Sequence, residues 1–99
     1  MPKYKSYKQL AYPKYNRIKK KFPSSLISYI NEAENTVAEN PSIGIQKSGD
    51  LKNIHIYKFK PIDQELLLAY EVNSKKKAVI FVAIGGHENF YKDLKQYLK

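Results

Sequence analysis

The chain has 99 residues, is 42% apolar, and carries a formal charge of +9 with a pI near 9.6. That length suits one domain, residues 1–99, built on a single modest core. The absence of cysteine and the presence of only two histidines exclude disulfides and thiolate catalysis and argue against a structural zinc site, so no metal or cofactor is expected.

The charge points to polyanionic partners: nucleic acid, an anionic surface or an acidic protein. It is unevenly spread. The first 23 residues hold eight basic side chains (Lys3, Lys5, Lys8, Lys14, Arg17, Lys19, Lys20, Lys21) and no acid. Tyr4, Tyr7, Tyr12 and Tyr15 are interleaved with them. This pattern reads either as a solvated helix face or as a phosphate-binding surface with aromatic rings able to stack on bases. The longest apolar run, Ala78 to Ile84, falls far short of the roughly 20 residues a membrane helix needs, and no signal peptide is visible. A cytoplasmic, membrane-free protein is the expectation.

Residues 4–11 read as a first strand, rich in tyrosine and closed by Pro13. Pro13 suits the first turn of a helix. Tyr15, Ile18 and Phe22 then recur at helical spacing and leave Lys14, Arg17, Lys20 and Lys21 outside. Pro23-Ser24-Ser25 punctuates, with a serine as N-cap. A second helix is expected to about Glu39, with Leu26, Ile27, Ile30, Ala33 and Val37 as its apolar stripe. Asn40-Pro41 ends it, because the residue before proline avoids helical dihedrals. The two helices suggest an αα-hairpin laid on a sheet.

Residues 42–50 read as a loop containing Gly44 and Gly49. Three strands are expected next. Asn53 to Lys60 alternates Lys58 and Lys60 against Tyr57 and Phe59, which places the two lysines on one face. After the turn Pro61-Ile62-Asp63, Glu65 to Val72 places Leu66, Leu68, Tyr70 and Val72 together. After Asn73-Ser74-Lys75, Lys77 to Ile84 is apolar on both sides and needs cover on both faces. Short turns imply antiparallel pairing. A last helix, Glu88 to Leu98, can supply the second cover with Tyr91, Leu94, Tyr97 and Leu98. The expected fold is α+β, in the order β-α-α-β-β-β-α.

The stretch AVIFVAIGGHENFY, residues 78–91, concentrates the chemical interest. A central strand stops at Gly85-Gly86 and hands over to a helix that carries Tyr91. His87 sits at the helix start, where the dipole favours neutral imidazole, a form able to act as a base near pH 7. His55, between Ile54 and Ile56, reads as structural. Glu65 is either a general base or the partner of a lysine.

These pieces resemble the RelE/ParE family of bacterial toxin–antitoxin toxins, and HENFYKDLK at residues 87–95 is close to one ParE-like subgroup. The resemblance rests on Lys21-Phe22-Pro23, Glu39-Asn40-Pro41, Gly49-Asp50-Leu51, Tyr57 to Lys60, Leu66 to Tyr70, and Ile84-Gly85-Gly86-His87 followed by Tyr91. Each motif alone is weak, but their order and spacing are specific. The resemblance implies a cognate antitoxin partner. It also implies a ribosome-dependent, metal-free mRNA endoribonuclease that arrests translation. In that chemistry a 2′-hydroxyl attacks the adjacent phosphate, which calls for a base, an acid and cations.

Carried over, His87 becomes the base or acid, and Lys58 and Lys60 the phosphate ligands. Tyr91 becomes the stacking or positioning residue, and Lys14, Arg17, Lys20 and Lys21 an RNA-binding surface. Two departures stand out. Ribonuclease members usually carry an arginine three residues before the middle strand's tyrosine, where this chain has Leu67. They often carry another just before the histidine, where it has Gly85 and Gly86. Arg17 is the only arginine in the chain. Lysine lacks the planar fork that grips phosphate bidentately. The alternative is therefore a ParE-type inhibitor of DNA gyrase without nuclease activity.

Overall fold

The computed structural model describes residues 6–46, 53–86 and 90. Proline punctuation sets the first half. Pro13 opens α1 (Pro13–Lys20), and Asn40 caps α2 (Ser24–Glu39) at its C-terminal end. The N-cap of α2 is Pro23, and no side chain caps it; the carbonyl of Pro23 accepts from the N–H groups of Leu26 and Ile27. The expected serine cap is therefore displaced by one position, because Ser24 already lies in the first turn. Asn40-Pro41 stops the α-helix and starts a single 3-10 turn, Pro41–Ile43.

The strands are β1 (Lys8–Ala11), β2 (Ile45–Gln46), β3 (His55–Phe59), β4 (Leu66–Asn73) and β5 (Ala78–Gly85). They form one sheet in the order β1-β5-β4-β3-β2. Three results differ from the sequence reading. The stretch 42–50 is not all loop: Ile45 and Gln46 pair with Ile56 and His55. The first strand begins at Lys8, later than position 4. The sheet is mixed, because β1 runs parallel to β5 while the other pairs are antiparallel. The helical hairpin returns the chain to the far edge of the sheet, and three antiparallel steps then bring β5 back beside β1 in the same direction.

Alternation sorts the side chains onto two faces. Leu66, Leu68 and Tyr70 of β4 join Val79, Phe81 and Ile84 of β5 under Tyr15, Ile30, Ala33, Val37 and Ala38 of the hairpin. Leu67 and Ala69 point the other way and pack with Ile54, Ile56, Val82, Ala83 and Phe90. A register shift explains why Val82 and Ala83 share that second cluster. Ala69 pairs with Ala83 and Tyr70 with Phe81, so Val82 is an unpaired extra residue on β5. Such a bulge reverses the alternation beyond it, and it lets one strand cover both layers as its apolar run demands. Phe90 is helical and buried on the second face. The rest of the expected final helix, with Tyr91, Leu94, Tyr97 and Leu98, lies outside the described residues.

Two polar clusters tie the layers together. On the hairpin, the Tyr15 hydroxyl donates to Glu34 Oε2 at 2.7 Å, and Lys19 Nζ lies 3.0 Å from the same oxygen. Glu34 is nearly buried, so its charge is held only because both partners reach it. Burial, with the adjacent Glu34 carboxylate, pushes the Tyr15 phenol far above its ordinary pKa. On the sheet, the Tyr70 hydroxyl donates to the Pro41 carbonyl at 2.7 Å and accepts from the Gly44 N–H at 3.0 Å. A Cβ on residue 44 would lie 2.6 Å from that hydroxyl and 3.0 Å from the carbonyl of Ile56. Only glycine permits this approach of loop to sheet.

Candidate functional site

The strand register gathers the residues that matter. Lys58 of β3 pairs with Leu67 of β4, and Leu67 pairs with Gly85 of β5. Directly paired residues share a face. The row Lys58–Leu67–Gly85 therefore crosses three strands on the face turned away from the helical hairpin. Its far end is the last residue of β5, two positions before His87. Strands lie about 4.8 Å apart, so Lys58 sits roughly 10 Å from Gly85 along the row.

The three positions are chemically unequal. Lys58 is exposed on a rigid strand. Leu67 is fully buried. Gly85 has the Phe90 ring beside it, 3.6 Å from where a Cβ would stand. The two positions where the family resemblance led one to expect arginine are thus occupied by apolar packing and by bare backbone. Beyond Gly85, a Cβ on Gly86 would meet nothing within 4 Å among the described residues.

Lys60 does not share the face expected of it. The strand ends at Phe59, so Lys60 falls in the turn that follows. There it borders a hollow of about 210 Å³ with Tyr29, Glu32, Tyr57, Phe59 and Pro61, between α2 and β3. His87 and Tyr91 lie outside the described residues. Glu65 is exposed just ahead of β4.

Lys14, Arg17, Lys20 and Lys21 are all exposed along α1 and its C-terminal cap. Helical spacing keeps Lys14, Arg17 and Lys21 on one face. Lys19 turns inward instead, to Glu34 and to Asn31 Oδ1 at 2.7 Å. Tyr15 anchors α1 on the helix side of the sheet, opposite Lys58. The structure therefore does not merge the two cationic groups: one lies over the hairpin and the other on the opposite face of the sheet.

His55 stands with its ring on that of Tyr70, centroids 5.3 Å apart, and its Nδ1 is buried without a hydrogen-bond partner. Burial lowers its pKa below the ordinary 6.5. A packing role fits this setting, as its position between two isoleucines suggests. Among the described residues no group of three or more His, Cys, Asp or Glu side chains is placed to hold a metal. No described helix is long and apolar enough to cross a membrane.

The fold is one that solved structures share. The chain is similar to a mutant of the E. coli toxin RelE in the free state, with a TM-score of 0.74 at 18% identity over 96% of this chain and 100% of that one. It matches the RelBE2 toxin–antitoxin complex of Mycobacterium tuberculosis with a TM-score of 0.74 at 13% identity, over 83% of this chain and 92% of that one. It matches the archaeal RelE–RelB complex of Pyrococcus horikoshii with a TM-score of 0.61 at 14% identity, over 85% and 98%. At such identities the likeness establishes a RelE-type α+β fold. No curated protein matches the chain. The profile of the ParE-like toxins of type II bacterial toxin–antitoxin systems matches residues 10–95, and the chain belongs to that family.

Proposed function

We propose that this toxin is a metal-free, ribosome-dependent mRNA endoribonuclease that arrests translation and is held in check by a cognate antitoxin. The observation that carries the reading is the cross-strand row. It sets an exposed lysine on a rigid strand, on the sheet face away from the hairpin, in line with the end of β5 that leads to His87. Cleavage by an adjacent 2′-hydroxyl develops negative charge on the phosphorane, and a fixed ammonium stabilises it without reorganising. His87 is the base or acid, and Tyr91 stacks on or positions a base. Lys60, just past the end of β3 and on the hairpin side, binds RNA phosphate further along the strand of the substrate. Lys14, Arg17, Lys20 and Lys21 form a second RNA-binding surface that docks the backbone through counterion release.

Lys58→Ala and His87→Ala test the assignment. Each is expected to abolish growth arrest on induction while the protein stays folded and antitoxin-bound. Full toxicity in either variant removes that residue from the mechanism.

A second reading has its own observation. Leu67 is buried and Gly85 is bare where arginines would complete the cation set. On that reading the chain inhibits DNA gyrase by binding alone. It predicts gyrase-linked DNA breaks during growth arrest, with mRNA intact.

A further inference from the structure

The hollow of about 210 Å³ between α2 and β3 is an unfilled space ringed by aromatic side chains. Two sequence periods meet there. Tyr57 and Phe59, two apart on β3, both lie on the hairpin side of the sheet. Their rings stack with centroids 5.7 Å apart and planes 10° from parallel. They make a flat shelf, and both are partly exposed. Tyr29, Glu32 and Ala33, at helical spacing on α2, form the opposite wall. Ala33 is too small to reach across, which leaves the space open. Tyr29 is 41% exposed. Packing alone would close these rings on one another, because protein interiors leave few voids. Among the described residues, the Tyr29 and Tyr57 hydroxyls and the Glu32 carboxylate have no hydrogen-bond or ion-pair partner. Lys60 is exposed at the rim.

We infer that this hollow takes one unpaired base of the substrate RNA, and that the base is guanine. This rests on the mRNA-cleavage reading and names a subsite for it. A planar base lies flat on Tyr57 and Phe59, as single-stranded bases do on aromatic platforms. The size suits one base, since pockets for drug-sized ligands run from about 300 Å³ upward. Lys60 at the rim meets the phosphate of that nucleotide. Glu32 sets the choice of base. A carboxylate only accepts hydrogen bonds. Guanine alone presents two adjacent donors, N1–H and N2–H, on its Watson–Crick edge. Adenine and cytosine set one amino group beside an acceptor, and uracil flanks one N–H with two carbonyls. Lys58 neighbours Tyr57 in sequence and faces the other side of the sheet. A substrate strand passing the end of β3 therefore gives a phosphate to one face and a base to the other.

The test titrates the full chain with two single-stranded RNA tetramers, one all uridine and one with a single guanosine, and follows the ring protons of Tyr29, Tyr57 and Phe59 by NMR. The guanosine tetramer is expected to bind about tenfold tighter and to shift those signals. Tyr57→Leu is expected to lose about tenfold in affinity for it. Glu32→Gln is expected to stay folded and bind both tetramers alike. In a translating extract the parent is expected to favour cuts beside guanines, and Glu32→Gln to lose that preference. Equal affinity of the parent for both tetramers, or unmoved ring signals, overturns the subsite; mRNA still cut in the extract then leaves the cleavage reading standing. Uncut translated mRNA overturns that reading, and the inference with it. Ring signals that move with the concentration of the chain itself, or with the antitoxin and neither RNA, assign the hollow to a protein partner and also overturn it.

Discussion

The contact between Gly44 and Tyr70 makes a double-mutant prediction. Tyr70→Phe removes the hydroxyl that donates to Pro41 at 2.7 Å and accepts from Gly44 at 3.0 Å. Each hydrogen bond is worth about 1 kcal/mol net. Both loop positions are half-buried, so water replaces part of the loss and the expected cost is about 1–2 kcal/mol. Gly44→Ala places a methyl 2.6 Å from the same hydroxyl and 3.0 Å from the carbonyl of Ile56. Overpacking of this kind costs about 2–3 kcal/mol, because the loop must retreat and both hydrogen bonds break with it.

The double variant has neither the hydroxyl to clash with nor its bonds left to lose. It is expected to be only slightly less stable than Gly44→Ala alone. The coupling is then about 1–2 kcal/mol, well outside the 0.3–0.5 kcal/mol scatter of independent sites. Urea unfolding of all four proteins, at constant m-value, measures it. Additive losses, or a neutral Gly44→Ala, would refute the claim that this approach fixes the loop to the sheet.

Glu34→Ala orphans the Tyr15 hydroxyl and leaves Lys19 without its carboxylate; Lys19 is partly exposed, so about 2–3 kcal/mol of stability is expected to go, readable in the same urea assay. His55 predicts a pH dependence: its folded pKa lies below the ordinary 6.5, so the unfolded chain takes up the proton first, and stability falls as pH drops from 6.5 towards the folded value. Thermal unfolding of parent and His55→Phe between pH 7 and 5.5 checks this, and the variant's dependence should be the flatter. Gly86→Arg meets no atoms of the described residues near its Cβ and adds a cation beside the row. Loss of one well-placed donor typically costs a hundredfold or more in rate; this unoptimised gain is expected to raise mRNA cleavage about tenfold in a translating extract, and no increase would count against charge as the limiting factor.

Local patterning was enough for the elements whose side chains speak in order. Tyr15, Ile18 and Phe22, then Leu26, Ile30, Ala33 and Val37, mark two amphipathic helices, and proline closes both. The alternation of Leu66, Leu68, Tyr70 and Val72 marks a strand with one core face, and the unbroken apolar run to Ile84 marks one covered on both. What escaped is held by long-range geometry. The parallel pairing of β1 with β5 depends on where the hairpin returns the chain. The two residues of β2 carry too little alternation to read. Glu34 looks like any solvated helix glutamate until Tyr15 and Lys19 close on it. Tyr70 reads as core, and only the folded loop reveals that its hydroxyl holds Gly44. At the site, the alternation of Lys58 with Tyr57 and Phe59 was legible, but the strand's end at Phe59, which separates Lys60 from it, was not. The alignment of Lys58 with Leu67 and Gly85 needs the pairing register, which the sequence does not print.

The central claim is that this toxin cuts mRNA on the ribosome. The most direct measurement is inducible expression in a bacterial host, with primer extension across a translated mRNA and a gel for chromosomal breaks from the same cells. The account predicts codon-phased cuts confined to translated mRNA, an unbroken chromosome, and loss of the cuts in Lys58→Ala. Broken chromosomal DNA with uncut mRNA during growth arrest would contradict it and give the chain to gyrase instead.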